Sequence, residues 1–177
     1  MALTKVTKHI LHGSLLVQYK YANIADGNTS GTGDTAIGSA VTITPQYADS
    51  ILENTFSCDI ENDSNGDNNH FRLALYVNSI KEYEQTELLG GPRGGHEATH
   101  HGGVFDRIYA HAHYQHLKNM RQSSGFVHAM TPGSTNAQSS QVYAADYNNG
   151  GKTFYVREGF LIVKEISIGI TSLSGNQ

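Results

Sequence analysis

The sequence predicts an all-β fold, an antiparallel sandwich or barrel with long loops rich in Gly, Asn and Ser. Three observations carry this. First, 61 of the 177 residues are Gly, Ser, Thr or Asn, while hydrophobic residues reach only 38% and charged residues 16%. A composition of small polar residues supplies many turns, whereas a helical bundle would need far more Ala, Leu, Glu and Lys. Second, apolar residues recur with period two, which places alternate side chains on one face of a strand. Third, no stretch sustains helical periodicity, and only Gln115 to Gln122 leaves room for a helical turn. The length fits one domain, 1–177, large enough to bury a core without disulfides.

Each element follows from its own spacing. Leu15 to Tyr21 alternates so that Leu15, Val17, Tyr19 and Tyr21 share a face. A long polar connection, Ala25 to Ser39, precedes a short strand at Val41 and Ile43 that Pro45 closes. Ile51 to Ile60 puts Leu52, Phe56, Cys58 and Ile60 on one side, and Phe71 to Asn78 does the same with Phe71, Leu73, Leu75 and Val77. The Asn65-Gly66 step between those two strands predicts a hairpin, because both central residues of a type I′ turn need positive φ. Further strands are expected at Ile80 to Leu88, Val104 to His116, Gly125 to Met130, Gln141 to Tyr147, Lys152 to Arg157 and Phe160 to Ile168. The total is nine to ten. The expected core includes Leu52, Phe56, Cys58, Leu73, Leu75, Val77, Leu161 and Val163.

Charge and composition narrow the function. A net charge of −4 gives no basic field for a phosphate backbone, so nucleic acid is not an expected partner. The longest apolar run, Leu73 to Val77, is far shorter than the roughly 20 residues needed to span a bilayer. Met1 to Val6 carries no leader-like apolar stretch, so synthesis in a cytoplasm is expected. Cys58 is the single cysteine and reads as a small buried apolar residue rather than half of a disulfide or a zinc ligand.

Three motifs invite chemistry. His96-Glu97-Ala98-Thr99-His100 spells H-E-x-x-H, which works in metalloproteases only on a helix that aligns both histidines. Six glycines between Gly90 and Gly103, with Pro92, deny that helix, so a loop without catalysis is expected. The acidic run Asp59 to Asp67 partly matches a calcium loop through Asp63, Asn65 and Gly66. It lacks the bidentate glutamate, with Arg72 in that place. His111-Ala112-His113 is the one place for an ion. On a strand, residues two apart point the same way, so two imidazoles would supply half of a zinc shell. His116 after a bulge, His128 from another strand, or the same pair from symmetry-related copies would have to complete it. Otherwise the pair is a solvated polar strand face. No cofactor is expected beyond such a divalent metal, and no catalytic residues are assigned.

Two segments carry a family resemblance. Ala40-Val41-Thr42-Ile43-Thr44-Pro45-Gln46-Tyr47-Ala48-Asp49-Ser50-Ile51-Leu52 resembles the V-x-I-T-P strand and turn of tailed-bacteriophage virion surface proteins. Phe160-Leu161-Ile162-Val163-Lys164-Glu165-Ile166 is similar to the last strand of the same modules. The resemblance implies a compact β-sandwich of jelly-roll type. It also implies a homotrimer docked on major capsid or tail proteins, as capsid decoration (cement) or as a fibre or tail component. No fibre shaft is visible in the sequence, which favours decoration. The expected location is the virion surface after synthesis in a host bacterial cytoplasm. The alternatives are a carbohydrate- or receptor-binding module facing a host surface glycan and, less favoured, a metal enzyme built on His111 and His113. The His- and Gly-rich insert at about 90–116 departs from the family layout.

Overall fold

The computed structural model describes residues 14–29, 31–62, 69–89, 96–100, 105–110, 121–146 and 153–168 of the chain. These form eleven strands and no helix: β1 Ser14–Ile24, β2 Gly27–Thr29, β3 Thr35–Ile43, β4 Ile51–Asn62, β5 Asn69–Val77, β6 Ile80–Leu89, β7 His96–His100, β8 Phe105–Ala110, β9 Arg121–Met130, β10 Gln138–Asp146 and β11 Phe154–Ile168. All pairings are antiparallel. One sheet runs β1-β11-β4-β9-β8, with β2 also paired to β11; the other runs β3-β10-β5-β6-β7. The two sheets pack face to face as a β-sandwich, and the order has a simple logic. Counted from the chain ends inward, β1 pairs β11, β3 pairs β10, β4 pairs β9 and β5 pairs β6, with successive pairs in alternate sheets. The chain is one long ribbon rolled across two sheets.

Alternation fills the space between the sheets. Leu52, Phe56, Cys58, Ile60, Leu161 and Val163 face Leu73, Leu75, Val77, Val142 and Ala144, all of them buried. Every residue named above as expected core is therefore inside. Phe56 and Phe126 are cross-strand partners with ring centroids 5.5 Å apart, and Tyr83 from the opposite sheet reaches Phe126 at 4.8 Å. Such tilted contacts suit the ring quadrupole. Gly125 makes the close approach of β9 to β4 possible, since a Cβ there would lie 2.3 Å from the Phe56 carbonyl oxygen. Some polar groups inside are paired: the Ser140 hydroxyl donates across the core to Asn54 Oδ1 at 2.6 Å, and the Tyr83 hydroxyl donates along β6 to Gln85 Oε1 at 2.8 Å.

Several boundaries differ from the sequence expectation, each for a stated reason. β4 and β5 lie in different sheets, so they do not form a hairpin; the Asn65-Gly66 step itself lies outside the described residues. The tight hairpin joins β5 to β6 instead, through Asn78 and Ser79 with φ of 51° and 68°. Two consecutive positive φ values are the signature of a type I′ turn. The two strands expected at Lys152 to Arg157 and Phe160 to Ile168 are one strand, β11. A bulge between Arg157 and Phe160, with Glu158 at φ 48°, lets it bend without ending. The polar connection Ala25 to Ser39 contains β2 and the first half of β3, because pairing with β11 and β10 recruits residues of low β-propensity.

The insert also forms strands. His96–His100 is β7, paired with β6, rather than a loop, while Phe105–Ala110 is β8, paired with β9, so the insert extends each sheet by one strand. Residues 111–120 lie outside the described residues. That includes most of the stretch considered for a helical turn; Arg121 and Gln122 belong to β9.

Candidate functional site

β1 is an edge strand, and its side chains define the most unusual surface of the described residues. The simple alternation of Leu15, Val17, Tyr19 and Tyr21 does not hold, because the register shifts between Leu16 and Gln18. The bulge places Leu16 opposite Ile166, Tyr19 opposite Lys164 and Tyr21 opposite Ile162, all on the outer face. Leu16, Tyr19 and Tyr21 are 52%, 58% and 65% exposed. Only one other large hydrophobic among the described residues, Ile80, is as open. The half-buried Ile162 and Ile166 of β11 continue the apolar surface. Beside them, Lys164 and Glu53 close an ion pair at 2.8 Å.

On the inner row of the same strand, Gln18 meets a buried carboxylate. Glu165 is fully buried at the end of β11, on the inward parity of Leu161 and Val163. Its two oxygens accept from Gln18 Nε2 at 2.7 Å, the Gln46 amide at 2.9 and 3.0 Å, the Tyr47 amide at 3.0 Å and the Ser50 hydroxyl at 3.0 Å. Gln18 Nε2 also donates to the Thr44 carbonyl at 2.7 Å. Successive backbone amides aimed at an anion form a nest. Burial alone would push the Glu165 carboxyl up, but the bonds from Gln18, Gln46, Tyr47 and Ser50 outweigh it and hold it below the usual carboxylate range. This carboxylate latches together β1, β11 and the crossover between β3 and β4. It also joins the segment Thr44 to Ser50 to the last described strand, β11.

A second polar cluster lies on the outer face of the other sheet. Asp34, just before β3, accepts from Arg72 and the Tyr76 hydroxyl and pairs with Lys81 Nζ at 2.8 Å. Lys81 also reaches Glu84 at 2.6 Å, and the Tyr76 and Tyr143 rings lie 4.4 Å apart. Burial would raise the Asp34 pKa, yet the bonds from Lys81, Tyr76 and Arg72 hold it down. Burial raises that of Tyr76, and its bond to Asp34 raises it further. For Lys81, burial would lower the pKa but Asp34 and Glu84 raise it. The charges are balanced internally, which reads as a brace tying the segment before β3 to β5 and β6.

Of the sequence-predicted ion ligands, His111, His113 and His116 lie outside the described residues. His128 is fully buried on β9, in register with Asn54 and with its ring 5.6 Å from that of Tyr83. Among the described residues, no three His, Cys, Asp or Glu side chains are grouped to hold a metal. Cys58 is buried as expected. The H-E-x-x-H residues form a strand, which lacks the one-turn spacing that the protease motif requires. Among the described residues, no helix is long and apolar enough to cross a membrane. The residues that sequence reasoning missed are Glu165 and Gln18. A signal was present: Glu165 continues the inward parity of Leu161 and Val163, where a carboxylate demands buried partners.

Comparison of the chain with protein-family models gives no match, and no curated protein matches it.

Proposed function

We propose that this chain is a non-catalytic structural protein of a tailed-bacteriophage virion. In this reading it is a jelly-roll module that assembles as a homotrimer and docks on major capsid or tail proteins at the particle surface. The nested pairing of β1 with β11, β3 with β10, β4 with β9 and β5 with β6 supports the jelly-roll part, since that fold is a rolled antiparallel ribbon of eight strands. The observation that carries the assembly part is the exposed row of Leu16, Tyr19 and Tyr21 on an otherwise well-packed sandwich. Contiguous exposed apolar surface marks interaction sites. The Glu165 latch adds support, because it binds into one unit the two segments on which the phage resemblance rests.

The test is the particle. Virions purified through a density gradient should carry the protein in a fixed copy number divisible by three, measured by quantitative mass spectrometry. Its absence from particles overturns the reading.

One observation favours a second reading, a module that binds a host surface glycan. Tyr19 and Tyr21 stand two residues apart on one face, and exposed aromatic rings offer stacking platforms for sugars. Glycan-array binding that is lost on removing both rings would establish it.

A further inference from the structure

We propose that His128, Asp106 and His100 form a binding site for a divalent transition metal of the zinc type, at the rim where β7 and β8 end the two sheets. The site goes beyond the virion reading and does not depend on it.

Strand register brings the three residues to one level. His128 is fully buried on the inward face of β9, and Asp106 on β8 is its cross-strand partner. Residues directly paired across antiparallel strands share a face, with Cβ atoms about 4.5–5.5 Å apart. Asp106 therefore occupies the inward position beside His128. In the opposite sheet, His100 on β7 is the partner of Tyr83 on β6. Tyr83 is buried inward, with its ring 5.6 Å from that of His128, so His100 takes the inward position next to it. Just as β6 lies over β9, β7 lies against β8. The level that sets Tyr83 over His128 thus sets His100 over Asp106, one strand nearer the rim. Residues 101–104 are the whole connection between β7 and β8, which keeps both positions at the same end of the sandwich. The lack of a three-ligand group among described side chains is unaffected, since β7 and β8 contribute register positions.

The donor set suits the ion. Two imidazoles and one carboxylate bind zinc-type divalent cations and leave a fourth position for water. A carboxylate at an inward position demands a charge partner, which a dication supplies. The Tyr83 hydroxyl is engaged by Gln85 Oε1 at 2.8 Å. Only half of the H-E-x-x-H histidine pair takes part: His96 pairs with Glu87, four residues from the Tyr83 level, and Glu97 falls on the other face with Thr86. A metal shared by the end strands of both sheets would clasp the rim shut, and edge strands need such cover.

The test uses the chain purified without a histidine tag, stripped with EDTA and titrated with Zn2+ by calorimetry. Four proteins are compared: wild type, His100→Ala, Asp106→Asn, and His111→Ala/His113→Ala as a control at the other histidine pair. Wild type and control should bind one zinc per chain. Both rim variants should bind at least about 100-fold more weakly, since losing even an outer partner of a metal ligand costs about 10–100-fold. Their β-sheet circular dichroism should be unchanged. Diethylpyrocarbonate labelling of wild type, read by mass spectrometry, checks the same site without any substitution: zinc should shield His100 and leave His111 and His113 reactive. A wild type that binds no zinc, a folded rim variant that keeps wild-type affinity, a control that loses it, or His100 labelled equally with and without zinc overturns the site.

Discussion

Glu165 shows how one residue can set the geometry of a whole corner of the sandwich. Its carboxylate is the common acceptor for β1, through Gln18, and for the crossover, through Gln46, Tyr47 and Ser50. Glu165→Gln keeps the shape but turns one acceptor into a donor facing N–H and O–H groups. The expected cost is about 1–3 kcal/mol in urea unfolding. The pH dependence has a definite sign. The folded carboxyl titrates below its ordinary range, so its stabilisation is present above about pH 4–5 and is lost as pH falls through the folded value. The wild type should lose stability on acidification through that window, and the variant less steeply. Asp34, also held below its usual value, leaves the variant some residual slope. Equal slopes in the two proteins would remove Glu165 from the account. The sequence made the strand around Glu165 legible, but not its partners, because a latch of sequence separation up to 147 residues exists only once the ribbon has rolled.

At the scale of elements, period two located the inward faces well: Leu52, Phe56 and Cys58 on β4, Leu73, Leu75 and Val77 on β5, and Leu161 and Val163 on β11 are all buried. It failed where the period is interrupted. The bulges in β1 and β11 are invisible to alternation, since each inserts residues that only the partner strand reveals. Turn chemistry was legible as a type but misplaced. Asn65-Gly66 reads as a hairpin, yet β4 and β5 belong to different sheets, and the two-residue turn uses Asn78 and Ser79. Asn78 tolerates its positive φ and adds side-chain bonds, accepting from the Ser139 amide at 2.9 Å and donating to Gln138 Oε1 at 2.7 Å. Asn78→Ala should therefore cost about 1–3 kcal/mol, combining the left-handed penalty with the lost bonds. Asn78→Gly removes the same bonds but relieves the backbone, so it should cost less. Thermal unfolding of the two variants checks the order, and a reversed order would mean that the turn is not strained in the way its φ values imply.

On the scale of the whole molecule, a sandwich with an apolar interior carries, among the described residues, an open apolar row on β1. The composition anticipated the first half, since a chain with so many small polar residues and short apolar strands has few other ways to bury a core. The second half was hidden. The tyrosines of β1 were visible in the sequence, but which side of the sheet they occupy depends on the register shift that aligns them with Leu16. The same property provides the most direct test of the claim that this face is where the protein assembles. Hydroxyl-radical footprinting of the purified protein reads side-chain access in solution. By exposure within a single chain, Leu16, Tyr19 and Tyr21 at 52%, 58% and 65% are equivalent to Ile80 at 63%. Tyrosine is intrinsically the more reactive of the two residue types, so an unassociated chain would be oxidised at Tyr19 and Tyr21 before Ile80. The account predicts the inverse order at concentrations where the protein is assembled, with both tyrosines protected and Ile80 oxidised. Oxidation of Tyr19 and Tyr21 at least as fast as Ile80 under those conditions would contradict it.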